Sequence, residues 1–143
     1  MKARSSLLLV SVLFIFSCSI ESEKINYGND SCHFCKMTIV DKQHAAEAVS
    51  SKGKAFKYDA IECMINDLKQ KTDVEMSLLF VNDYSNPGVL IDAKTSTFLI
   101  SKEIKSPMGA FLSAFEKQEE AQRLINEHGG NIYTWKEVQK EIN

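Results

Sequence analysis

The chain has 143 residues, with 17 Lys and Arg against 19 Asp and Glu and a net charge of −2. That length suits one domain. The slightly acidic balance, with no basic stripe, argues against nucleic acid as a partner.

The first 17 residues read as a leader. Lys2 and Arg4 precede an apolar run, LLLVSVLFIF, at residues 7–16. That run is half of the roughly 20 residues a helix needs to cross a bilayer, so it reads as a secretory signal. Ile15-Phe16-Ser17-Cys18 resembles a bacterial lipobox, although Phe16 is unusual at its place. In such a signal the cysteine is lipidated and begins the mature chain. The alternative is a plain signal peptide that happens to end near a cysteine. The expected organisation is a signal over residues 1–17, lipidated Cys18 and a tether over 18–30, and a domain over 31–143. Multiple acyl chains would hold that domain stably on a membrane, outside the cytoplasm.

Residues 37–40 contain β-branched side chains and read as a strand. Residues 45–50 and 55–58 follow as two more, joined by a Ser51-Lys52-Gly53-Lys54 turn. Asp59 and Glu62 have the spacing of a capping box. Ile61, Met64, Ile65 and Leu68 then repeat at the spacing of one buried helical face. Residues 76–83 form a continuous apolar run expected to be a central strand, and Asn86-Pro87-Gly88 reads as a turn before another short strand. TFLIS, at residues 97–101, is ambiguous between strand and helix. Residues 106–115 read as a turn and a strand. Ala121, Leu124, Ile125 and His128 share one helical face, with Gly129 as its terminator. Residues 131–134 suggest a last strand. Thr134 and Glu137 have a second capping-box spacing, ahead of Trp135, Val138 and Ile142 on one side of a final helix. The fold class is α+β: a small mixed or antiparallel sheet with two to three helices. The second half echoes the first in its order of strands and helix, though not in sequence.

Beyond Cys18, three cysteines remain: Cys32, Cys35 and Cys63. An odd number outside the cytoplasm argues against a simple disulfide framework. Cys32-His33-Phe34-Cys35-Lys36-Met37 gathers three sulfur atoms into six residues. In extended chain, Cys35 and Met37 would point to one face, and a turn would bring Cys32 toward them. Lys36 would face away, where its charge could acidify a nearby thiol. Zinc seldom uses methionine and favours four strong ligands. Thiolate with thioether selects Cu(I). Met108, on the Ser106-Pro107-Met108-Gly109 turn, is a further candidate donor. His33 is either a ligand or a solvated loop residue. Cys63 and Met64 lie on or beside a buried helical face and read as packing, and His44 and His128 as structural or solvated. A Cys32–Cys35 disulfide and a thioredoxin-like redox pair both stay open, although a redox pair belongs at a helix start.

In order along the chain, CHFCKMTIVD, AFKYDAIECMINDL, FVNDY, LIDAKTSTFLIS, SPMG and GGNIYTWKEV resemble the NosL family of lipoproteins, copper chaperones for nitrous oxide reductase. The resemblance implies a fold of ββα-type units and Cu(I) held by Cys35 and Met37. Cys32 would be a third or redox-gated ligand, and Met108 a ligand or a neighbour of the metal. It also implies delivery to an ABC-type maturation complex and thence to a copper enzyme, by a binding protein and not an enzyme. The protein would act as a monomer or a metal-bridged dimer. Lys36 stands where the family commonly has glycine. A periplasmic thiol–disulfide oxidoreductase using Cys32 and Cys35 is the alternative function.

Overall fold

The computed structural model describes residues 19–143. The leader and the proposed lipidation site at Cys18 lie outside the described residues. Two units follow one another along the chain. The first comprises β1 (Ala46–Ser50), β2 (Ala55–Tyr58), α1 (Ile61–Gln70), β3 (Met76–Asn82) and β4 (Leu90–Asp92). The second comprises β5 (Thr97–Ile100), β6 (Leu112–Phe115), α2 (Gln118–His128), β7 (Asn131–Tyr133) and α3 (Trp135–Glu141).

All strand pairings are antiparallel, in the orders β2-β1-β3-β4 and β6-β5-β7. Each unit therefore repeats one plan: a hairpin, a helix, and a third strand added beside the first strand of the hairpin. This is the echo seen in the sequence, now visible as topology. The ambiguous TFLIS segment supplies β5, the middle strand of the second sheet.

Small side chains let α1 pack closely on its sheet. Ala46 faces Tyr58 and Ala48 faces Phe56 across the β1–β2 ladder. All four are buried in one cluster with Ile61, Met64 and Ile65 of α1. Residues of the second unit, among them Phe98, Leu112, Trp135 and Val138, join the same cluster, so one core binds the two sheets together. Alternation along β1 turns Glu47 to the opposite side from Ala46 and Ala48. There the segment expected to begin as a tether covers it: the Glu23 N–H donates to Glu47 Oε1 at 2.8 Å, and Ile25 is only 3% exposed.

Helix ends follow local chemistry in two cases out of three. Thr134 and Glu137 form the expected capping box, each side chain meeting the other's backbone N–H. Gly129, at φ 71°, ends α2 with its N–H on the Ile125 carbonyl. The box expected from Asp59 and Glu62 does not form. Ala60 is the N-cap of α1, which puts Asp59 one position too early, and Glu62 bonds instead to the distant 106–111 loop. His128 is exposed and does not share the buried face of α2. Residues 37–40 make only an isolated bridge, Ser31 with Thr38, where a strand was expected.

Candidate metal centre

The segment from Ser31 to Thr38 is a tight loop. The bridge between those two residues closes it, and the Cys32 N–H donates to the Met37 carbonyl at 2.7 Å. Inside it, the Lys36 N–H returns to the Cys32 carbonyl at 3.1 Å. That closure takes Lys36 to φ 66°, in the left-handed region that disfavours a residue with a Cβ. Glycine would hold this conformation without that penalty. The loop is pinned to the sheet by the His33 N–H, which donates to the Lys57 carbonyl at 2.8 Å. The His33 ring sits edge-on to Phe56 at 4.9 Å.

Cys32 points into the core at 1% exposure, and Cys35 is half-buried. Cys63 comes to them from α1, in the first turn of the helix and also 1% exposed. The three sulfur atoms lie within 4.8 Å of one another, and all three thiols are free. Cys63 had read as packing. It is buried against the core, yet its sulfur belongs to the cluster. Its position beside an apolar helical face gave no sign that a loop 31 residues earlier would fold onto it.

The electrostatics favour ionisation at Cys32. The neighbouring Cys63 thiol pulls the Cys32 thiol down to about 4, against the opposing effect of burial. The backbone N–H groups of Asp59 and Cys35 contribute too, the latter at 3.5 Å. Asp59 immediately precedes the N-cap of α1. The reciprocal effect falls on Cys63, whose thiol is pushed well up by Cys32 and by burial. Burial also raises Cys35. The shifts oppose one another within the cluster, Cys32 down and Cys35 and Cys63 up, and binding a cation would release thiol protons.

Met37 and Met108 lie differently. The left-handed turn at Lys36 breaks the extended path that would have put Cys35 and Met37 on one face. Cys35 turns inward, while Met37 is 56% exposed. Met108 is 44% exposed on its turn and lines a groove of about 450 Å³ with Glu62 and Phe111. His44 is buried, bonded to Asp41 and Ser113, as a structural histidine would be. The Cys32–Cys35 pair sits in a turn, whereas a thioredoxin-like pair sits at a helix start. The helix start at this site belongs to Cys63.

Comparison with known proteins agrees with this arrangement. The chain is 26% identical over 124 residues to the copper-binding lipoprotein NosL of Stutzerimonas stutzeri, an alignment covering 81% of this chain and 65% of that relative's length. Its fold matches the crystal structure of the copper chaperone NosL from Shewanella denitrificans with a TM-score of 0.72 at 19% identity, covering 82% of this chain and 95% of that one. The NosL family model matches residues 25–143, from the buried Ile25 to the last residue, and on that match the chain belongs to the NosL family.

Proposed function

We propose that this protein binds Cu(I) as cargo through Cys32, Cys35 and Cys63 and passes it to a copper enzyme under assembly. The carrying observation is the convergence of three free thiols within 4.8 Å, two buried and one half-exposed. Three thiolates suit the low coordination number and softness of Cu(I), whereas structural zinc wants a fourth strong ligand. Among the described residues, no other cluster of three or more His, Cys, Asp or Glu presents such a donor set.

Half-exposed Cys35 gives the ion its way out, because transfer by ligand exchange needs one accessible sulfur. The exposed thioethers of Met37 and Met108 serve at the surface as weaker donors during capture and release. The copper named in the relatives' descriptions supports this choice of metal. The family resemblance extends the proposal to nitrous oxide reductase as final acceptor, reached through an ABC-type complex. It also extends it to a lipid anchor at Cys18, with the domain held outside the cytoplasm. Among the described residues no helix is long and apolar enough to cross a membrane.

An anaerobic titration of the reduced protein with Cu(I), against a competing chromogenic chelator, tests the reading. One tightly held equivalent, lost in Cys32→Ser and not displaced by excess Zn(II), is the expected result. Failure to compete with the chelator, together with turnover on a model disulfide, would favour the oxidoreductase instead.

A further inference from the structure

The loop that carries Cys32 and Cys35 is flanked by positive charge that holding a metal does not use. Lys36 follows half-buried Cys35 directly; it is exposed, and its Nζ donates to the His33 carbonyl. The His33 ring meets Phe56 edge-on at 4.9 Å. Two further ammonium groups lie over the same Phe56 ring, Lys71 Nζ at 4.0 Å and Lys54 Nζ at 5.0 Å. Asp67 neutralises Lys71 at 2.7 Å. Lys36 and Lys54 stay uncompensated: among the described residues neither forms an ion pair. Lys54 also borders a groove that holds Lys52, Asp73 and Glu75, so opposite charges stand near it without pairing. This positive rim belongs to a chain whose net charge is −2.

The same stretch exposes apolar surface. Val40 is 65% exposed and Met37 56%, more than any other large hydrophobic residue among those described. Between them Ile39 is fully buried and its backbone is held on both sides. Its N–H donates to the Asp30 carbonyl at 2.9 Å, and its carbonyl accepts from the Gly28 N–H at 2.8 Å. Val40 is therefore presented outward from a fixed backbone. Apolar side chains within a charged rim are the layout of a protein–protein contact.

We propose that this face is the docking surface for an acidic partner protein that exchanges copper with this one: Val40 makes apolar contact, and Lys36 and Lys54 pair with carboxylates of the partner. The inference rests on the Cu(I) reading of the cluster. Ligand exchange brings a partner's ligand to bonding distance of the ion at Cys35. The partner then covers Lys36, the next residue, and strips its water. Burying an unpaired cation is costly. A partner with carboxylates opposite the two lysines is favoured, and one with a basic face is rejected. A lipid surface could answer the charge, but it offers no ligand to take the ion.

The test is the rate of Cu(I) transfer from the loaded full chain to two chelators, a disulfonated phenanthroline and an uncharged dimethylphenanthroline. The readout is the ratio of the anionic to the uncharged rate, in which changes of stability or Cu(I) affinity cancel. Lys36→Glu combined with Lys54→Glu should lower that ratio about tenfold, within the range that steering by local charge gives. Raising salt from about 0.05 M to about 0.5 M, which shortens the screening length roughly threefold, should lower it similarly in wild type. Arg123→Glu, an equal charge reversal on exposed α2, should leave it unchanged. The protein arm is transfer to copper-free nitrous oxide reductase with its ABC-type complex. There the double reversal should slow transfer about tenfold. Val40→Ser should slow it about as much, as loss of a buried valine would, and should leave the chelator ratio unchanged. A ratio that ignores both salt and the lysines would overturn the proposal, and so would protein transfer that keeps its rate in the double reversal. Loss of binding to anionic phospholipid vesicles in the double reversal, with protein transfer unchanged, would assign the rim to lipid and overturn it too. If wild-type protein takes up no Cu(I), the copper reading itself fails and this inference falls with it. Cu(I) held by the three cysteines and passed on without regard to charge refutes the inference alone.

Discussion

The Cys63 and Cys32 sulfur atoms lie within 4.8 Å of each other, joining the first turn of α1 to a loop 31 residues earlier in the chain. That closeness sets the chemistry of the cluster: Cys63 pulls the buried Cys32 thiol down, while Cys32 and burial push the Cys63 thiol up. Substituting Cys63 with serine should therefore have two effects. Cu(I) affinity should fall by at least about 100-fold, since even groups behind a ligand are worth 10–100-fold. The Cys32 thiol should also lose acidity. Chelator competition checks the first effect and ultraviolet titration of the thiolate checks the second. Met37→Ala, which removes an exposed thioether, should weaken binding less than Cys63→Ser.

The same pair predicts how apo stability responds to pH. Cys32 is depressed to about 4 in the folded state, against an ordinary thiol value of 9.0. Between those values the unfolded chain carries a proton there that the folded chain lacks, so stability rises with pH. The contribution is fully present only above the ordinary value, and is lost as pH falls through about 4. Cys63 and Cys35 shift upward. Above about 9 the unfolded chain loses protons that the folded chain keeps there, and stability falls. Denaturant midpoints of reduced apo protein should therefore peak near pH 9, and Cys32→Ser should flatten the acid side. A midpoint independent of pH between 5 and 8 in wild type would contradict the assignment.

Lys36→Gly should stabilise the protein. A left-handed conformation costs a residue with a Cβ about 1–2 kcal/mol, and Lys36 holds one at φ 66°. The gain is reduced by the lost contact of Lys36 Nζ with the His33 carbonyl and by the added freedom of glycine in the unfolded chain. A net rise of about 0.5 kcal/mol is expected, visible as a melting temperature higher by a few degrees. A fall of the same size would mean that the lysine contact outweighs the backbone.

Gly130→Ala should be severe. The residue is at φ 118°, and an added Cβ would lie 2.4 Å from the Ile100 carbonyl oxygen. That oxygen belongs to the middle strand of the second sheet, next to the start of β7. A loss of more than about 2 kcal/mol is expected, measured by denaturant unfolding. Thr134→Ala makes a useful contrast, because it removes only the cap of α3 and should cost about 1 kcal/mol. Neither variant touches the thiols, so Cu(I) affinity of the folded fraction should stay unchanged in both.

The parts of the fold governed by neighbours in sequence were legible in advance. The β1–β2 hairpin, the apolar face of α1, the glycine stop after α2 and the Thr134–Glu137 cap all follow from residues a few positions apart. Features set by distant partners were not. Glu62 has nearly the spacing of a capping residue, yet its bonds go to Ser106 and Ala110. Residues 37–40 carry strand-like side chains, but the turn at Lys36 and the single bridge to Ser31 leave no ladder for them to join. Of the metal site, Cys32 and Cys35 announced themselves by spacing. Cys63 did not, because a cysteine beside a buried helical face looks the same whether its neighbour is an isoleucine or another sulfur. The odd cysteine was the signal available, since a Cys-x-x-Cys pair leaves a third thiol to be accounted for.

The most direct test of the three-thiol account is copper-edge X-ray absorption of the Cu(I)-loaded, reduced protein beside its Cys63→Ser variant. The account predicts a sulfur-only first shell in wild type that loses one sulfur scatterer in the variant. An identical shell in both proteins would contradict it and return Cys63 to the core as packing alone.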